Sequence, residues 1–279
     1  MPESSVRLER FIGVDLAASP ARTGAALITL VGGGPTRRAE ASLVGENFVA
    51  DNDALIALVD ANTVVGLDAP LGWPDDFVRA VTAHHSFEPW PHVPDEKRPR
   101  ESLRHRRSDL FVRSLELGSI PLSVSSDLIG VVAMRAALLQ SAWAAPWGRL
   151  EPRDGSGRLV ETYPAAALRS WKFLKRRGDV YKGGSKRERD RESSERARML
   201  AEIETASATW LKVDAALREE ARLSDHVFDA FISALTALAT KAKLTYPPSV
   251  SDEDAALREG WIHVPRGLFT DLADAVPLL

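Results

Sequence analysis

Apolar positions in the first quarter of the chain fall into short runs separated by turn residues, which predicts strands rather than long helices. RFIGVDLA (residues 10–17) is one such run and TGAALITLVG (23–32) a second. The glycines of GGGP after it signal a turn. RAEASLVG (38–45) alternates Ala39, Ala41 and Leu43 with polar neighbours and reads as a third strand, so the three can form a meander. Asp51 or Asp53 then caps a predicted helix, NDALIALVDAN. A fourth strand, TVVGLDAPLG (63–72), is stopped by Pro70, Gly72 and Pro74.

The texture changes over residues 74–150. Prolines cluster around FEPWPHVPDEKRP, SDLFVRSLELG reads as helical, and a longer helical pattern runs through DLIGVVAMRAALLQSAWAA. This stretch reads as an insertion covering one side of the sheet, within a single domain spanning residues 1–279. RLVETYP follows as a fifth strand. SSERARMLAEIETA reads as a helix capped by Ser193 or Ser194, SDHVFDAFISALTALATKA as a strong helix, and GWIHVP as a short strand.

Three of the strand patterns end in an acid: Asp15, Asp68 and Glu161. A carboxylate closing a buried strand needs a partner, because an unpaired buried charge is costly. Taken singly, each acid suits a turn or a cap. Strands that run the same way present their carboxyl ends together, where ligands of open α/β sheets collect. Acids gathered there repel, and a hard divalent cation with oxygen ligands relieves the conflict. The C-terminal helix adds to the pattern. Ideal helical geometry lays Asp225, Thr236, Asp229, Ser233 and His226, in that order, along an arc of about 100°. Phe228, Phe231, Leu235 and Leu238 fall at roughly 220–300° from Asp225 on the same wheel. Two acids and a histidine therefore share one arc. The helix dipole accounts for an acid at Asp225; it accounts less well for Asp229, a turn further in beside Ala230 and Ala234.

Composition narrows the chemistry. The 279 residues are 44% hydrophobic and 27% charged, as in ordinary globular proteins. Cysteine is absent, which excludes disulfides, thiolate zinc sites and a cysteine nucleophile, and fits a cytoplasmic location. The start, MPESSVRLER, is unlike a signal peptide, and no apolar stretch is long and clean enough for a membrane span. The net charge of -3 conceals two basic blocks. Residues 97–107 hold six Lys/Arg against one Glu, and residues 169–191 hold ten against three. Such blocks suit solvated surface or contact with a polyanion such as nucleic acid. Arg106, Arg107 and Asp109 at the end of the first block, with Lys182 in the second, are candidate phosphate contacts. Neither GGG at 32–34 nor GGSK at 183–186 is followed by the Lys-Ser/Thr of a P-loop. His84, His85 and His92 read as lying in a proline-rich loop, and a zinc site there would need a fourth ligand and better spacing. Trp73, Trp90 and Trp147 suit loop packing, although tryptophans beside a basic groove can stack bases.

The order GVDLA, hairpin, helix, GLDAPLG, ETYPAA and DHVFDAFISALTA, closing on EGWIHVP, resembles domain of unknown function family 429, a group assigned an RNase H-like nuclease role. The similarity runs from about Phe11 to Pro265. The spacing of His226 and Asp229, followed by Ala230, is similar to the RuvC-type branch of that fold. The resemblance implies an α/β fold with a five-stranded mixed sheet flanked by helices, the first strand central and the fourth beside it. It implies two Mg²⁺ or Mn²⁺ ions and hydrolysis of phosphodiester bonds in nucleic acid, DNA or RNA. Asp15 would bridge both ions, Asp68 would hold one, and Asp229 with Asp225 or His226 the other. Glu161 would be a more distant acid or a ligand specific to this group. Two other functions fit parts of the pattern: a non-catalytic scaffold of the same fold that binds nucleic acid or protein, and an actin-like or sugar-kinase-like phosphotransferase. The latter also begins with a strand ending in Asp but needs a duplicated domain and a second phosphate loop, neither visible here.

Overall fold

The computed structural model describes residues 10–45, 48–91, 100–118, 120–175, 180–183 and 188–279. His92 and much of both basic blocks, including GSK at 184–186, lie outside them. The strands are β1 (Arg10–Asp15), β2 (Gly24–Val31), β3 (Arg38–Leu43), β4 (Thr63–Asp68), β5 (Leu159–Thr162), β6 (Leu211–Val213) and β7 (Ile262–His263). They form one mixed sheet in the order β6-β3-β2-β1-β4-β5-β7. Only β2 runs against its neighbours; every other pairing is parallel.

The sheet has seven strands, not the five expected. The two additions are minimal edge strands. β6 pairs three residues with Ala39–Ala41, and β7 pairs two with Glu161–Thr162. Elements that short contain too few alternations to declare how they join a sheet, although GWIHVP reads as a strand by itself.

The helices are α1 (Asn52–Ala57), then α2 (Asp75–His85), α3 (Glu101–Arg104), α4 (Arg107–Ser114) and α5 (Ile129–Trp147) between β4 and β5. α6 (Pro164–Ser170) and α7 (Arg189–Ser207) precede β6; α8 (Ala215–Leu223), α9 (Asp225–Lys241) and α10 (Glu253–Glu259) precede β7. Asp51 caps α1, accepting from the backbone of Ala54. Ser193 and Ser194 are interior to α7, which begins four residues earlier than the serines suggest because the charged segment from Arg189 continues the helix.

Strand alternation divides the core. Phe11, Val64 and Val160 face one layer, built on α9 with Leu168 of α6, Met199 of α7 and Leu217 of α8. Ile12, Val14, Val65, Leu67 and Leu159 face the other, where Leu55 of α1 and Leu139, Trp143 and Trp147 of α5 cover them. The insertion thus supplies the second layer through α5. Trp143 and Trp147 anchor it, donating their indole N–H groups to the carbonyls of Leu55 and Thr63.

α9 lies unusually close to the sheet, and two paired glycines allow it. Gly13 and Gly66 are in register on β1 and β4. A Cβ at Gly13 would meet the Ala230 carbonyl oxygen at 1.8 Å, and one at Gly66 the Ser233 carbonyl oxygen at 2.3 Å. The small residues of α9 therefore rest on the glycine stripe, and the polar arc of the helix is pressed against the carboxyl ends of β1 and β4. No helix among the described residues is long and apolar enough to cross a membrane.

Candidate metal centre

β1 and β4 run parallel with Asp15 opposite Asp68. Both acids follow their strand's glycine by two residues, so alternation aims them at the layer of α9. The Ser224 hydroxyl caps α9 by accepting from the Val227 backbone, which fixes the first turn at this edge. Asp229 lies one turn in. One carboxylate oxygen from each of Asp15, Asp68 and Asp229 lies within 4.8 Å of the others. Residues more than two hundred positions apart in sequence thus meet at one point.

Other side chains hold this group in place. Asp15 Oδ2 accepts from His226 Nδ1 at 2.7 Å. Asp229 is 1% exposed and has both oxygens engaged. Tyr181 donates its hydroxyl to Oδ1 at 3.0 Å, and Lys182 Nζ donates to Oδ2 at 2.5 Å. Burial pushes the Asp68 carboxyl well above the usual carboxylate range, with repulsion from Asp15 adding and Lys182 opposing. Burial likewise raises Asp229 to about 6 against the opposing Lys182. Burial works to lower the Lys182 ammonium, but Asp229, Tyr181, Asp68 and Asp15 outweigh it and the net shift is upward. The hydrogen bond to Asp15 raises His226. The local charge is net negative, and one ammonium does not balance it.

The remaining candidates fall elsewhere. Asp225, the first residue of α9, does not join the group of three, and His226 reaches it through Asp15. Glu161 pairs in register with Leu67, not with Asp68, so its side chain points to the opposite face of the sheet. The position level with Asp68 is Thr162, whose hydroxyl bonds Ser233 of α9 at 2.9 Å. Glu161 instead accepts from Arg106 at 2.7 and 2.8 Å and from the Leu71 backbone at 3.1 Å. Arg106 is a buried structural cation rather than a surface clamp. Its five guanidinium N–H donors all find acceptors on Asp109, Glu161 and the Glu259 carbonyl. Arg107 donates its backbone N–H to Glu259 and lines a separate polar depression with His105, Arg79 and Arg258. Of the proposed phosphate contacts, Lys182 alone stands beside the acids, its ammonium bonded to Asp229.

A cavity of about 220 Å³ opens beside the acids, lined by Asp15, Asp68 and Lys182 together with Leu122, Val132 and Tyr163. Tyr181 and Tyr163 escape a sequence reading. The available signals were a tyrosine beside Lys182 in VYKGG and one following the strand acid in ETYP, and neither spacing announces a contact with Asp229 or with a cavity.

The family model described as a protein of unknown function, DUF429, matches residues 13–252. The chain therefore belongs to that family. No curated protein and no solved structure matches it.

Proposed function

We propose that this member of DUF429 is a metal-dependent nuclease of RNase H-like fold that hydrolyses phosphodiester bonds using Mg²⁺ or Mn²⁺. The observation that carries the reading is the convergence of Asp15, Asp68 and Asp229 within 4.8 Å at the carboxyl ends of β1 and β4. The sheet arrangement supports the fold assignment: β1 is central, β4 lies parallel beside it, and β2 is antiparallel.

The donor set fits hard divalent ions. It consists of carboxylate oxygens, with no soft ligand joining them among the described residues, and its charge exceeds the cations the chain itself supplies. Asp15, Asp68 and Asp229 would hold the ions, which supply Lewis-acid charge neutralisation and make bound water more acidic. The chain's own residues do the rest. His226 fixes the orientation of Asp15 through Nδ1–H. Tyr181 and Lys182 hold Asp229 from both sides. The Lys182 ammonium, 37% exposed, also faces the space where a phosphate would approach the acids. Nucleic acid is the partner this arrangement suits.

Mn²⁺ titration by calorimetry, together with cleavage of labelled DNA and RNA strands, tests the reading. Asp15→Asn is expected to abolish both Mn²⁺ binding and cleavage. Its stability should stay within about 1 kcal/mol of the original, because asparagine keeps an acceptor for His226 and removes a repelling charge. An Asp15→Asn protein that cleaves at the normal rate sinks the assignment. Tight Mn²⁺ binding with no cleavage of any strand would favour the scaffold instead.

A further inference from the structure

The cavity at the acids has a lining of mixed chemistry. Asp15, Asp68 and Lys182 are its charged members beside the acid cluster. Pro121, Leu122, Ile129, Val132, Tyr163 and Ile262 supply apolar and aromatic surface. Four of these six come from the insertion, two from the loop before α5 and two from its first turns, so the insertion roofs the site as well as covering the sheet. Arg106 and Glu161 also reach the lining, but they are saturated by each other and by Asp109, so they offer no free charge to a ligand. An anionic group entering the cavity therefore belongs beside Lys182 and the ions that the acids would hold. The apolar lining suits an uncharged group.

Size limits that group. About 220 Å³ is below the roughly 300–1,000 Å³ typical of pockets for drug-sized ligands. It takes one planar ring system with part of its sugar and not a base pair. Tyr163 adds a ring on which a base can stack. Its hydroxyl makes one long contact, 3.4 Å, to the Ile120 carbonyl, and so can serve a base edge. Leu122, 57% exposed, lines the cavity.

Building on the phosphodiesterase reading, we infer that this cavity receives one unpaired base of the nucleotide whose phosphate sits at the acids, so that the substrate is single-stranded at the scissile position. Lys182 and the ions that the acids would hold take the phosphate; the roof and Tyr163 take the base; a fully paired duplex is excluded because its bases cannot leave the stack without added cost.

The test uses oligonucleotides carrying 2-aminopurine at one position, with Ca²⁺ present so that binding is read without turnover. The single strand should bind with a change in 2-aminopurine fluorescence, at least tenfold more tightly than the same sequence in a duplex. Replacing that nucleotide with a base-free tetrahydrofuran residue should lose at least tenfold. Leu122→Asp, a change at an exposed position, should lose as much, and Tyr163→Ala should lose binding that Tyr163→Phe restores. Equal binding of strand and duplex, indifference to the missing base, no binding of either, or an unaffected Leu122→Asp protein overturns the inference. Cleavage in Mn²⁺ separates the two readings. Cleavage without preference for an unpaired base leaves the nuclease standing and removes the base pocket. The expected binding pattern with no cleavage leaves the pocket and removes the nuclease.

Discussion

Two clusters of acids sit at the same edge of the sheet on opposite faces, and they are balanced in different ways. On the α9 face, Asp15, Asp68 and Asp229 come within 4.8 Å of one another with one lysine and one histidine as counter-charges. On the α5 face, Asp109 and Glu161 share one arginine whose every N–H is engaged. The second cluster is complete: donors and acceptors match, and nothing further is needed to hold it. The first has acceptor oxygens to spare. Both look alike in sequence, as acids after apolar runs. The difference lies in how the acids are engaged: each cluster holds one more acid than counter-charges, but only the first sets three carboxylates side by side, and such a gathering marks the face where a ligand is to be sought.

The largest effect should come from breaking the complete cluster. Arg106→Met leaves Asp109 and Glu161 buried without a counter-charge and is expected to cost about 3–5 kcal/mol in urea unfolding. A loss below about 1 kcal/mol, on the order of a surface pair, would erase the distinction between the two clusters.

Next is a pH effect confined to the incomplete cluster. Asp229 has an ordinary value of 3.8 and is raised to about 6 by burial. Between these values the folded protein binds the extra proton, so Asp229 favours the folded state most below pH 3.8, and this support is lost as pH rises through about 6. The change is about 3 kcal/mol across the window in metal-free protein. His263, buried and pushed down to about 4, acts in the opposite direction. It is present in both proteins when the original is compared with Asp229→Asn, so it cancels in the difference. The difference in unfolding free energy between the two, measured in chelator from pH 4 to 7, should therefore slope with pH. A flat difference would mean that Asp229 is not held at a raised value.

The unequal legibility of the two faces has a physical cause. Asp15 and Asp68 could be read because each ends an apolar run two residues after a glycine, and two such strands in register put their acids side by side. Asp229 could be read because helical geometry separates it from the large apolar residues and places it above small ones. Glu161 also ends a strand, yet RLVETYP places its acid one residue short of the face that matters, and a one-residue offset turns a side chain to the other side of a sheet. Nothing in a single strand reveals that offset; it appears only when Leu67 is found opposite. The same limit hides β6, since the single alternation of Leu211-Lys212-Val213 is too short to mark a strand. The partners of Asp229, Tyr181 and Lys182, lie in residues 180–183, which form neither helix nor strand, so sequence spacing does not translate into distance.

A smaller effect tests the assignment of Glu161 directly. Glu161→Gln keeps the shape but turns an acceptor into a donor facing Arg106, and should cost about 2 kcal/mol. Mn²⁺ affinity should stay within about twofold, since Glu161 points away from the three aspartates. A tenfold loss of Mn²⁺ affinity with stability intact would transfer Glu161 from the complete cluster to the incomplete one.

The smallest effect concerns Lys182, the one cation among the described residues placed directly on Asp229. Its ammonium lies 2.5 Å from Asp229 Oδ2, and Asp68 and Asp15 also act on it. A divalent ion entering this group meets that positive charge. At a few ångströms and an effective dielectric of about 20, unit charges interact by several kcal/mol, and solvent at the partly exposed lysine reduces this. Lys182→Met removes the opposition while keeping most of the side chain's bulk. Calorimetry should show Mn²⁺ binding at least about tenfold tighter in the variant, worth about 1.4 kcal/mol. The metal-free variant should also be less stable than the original, because Asp229 loses a charge-assisted bond, and Mn²⁺ should restore it. If Lys182 instead assists binding, the affinity falls, and the gathering of three carboxylates is then not by itself what draws the ion.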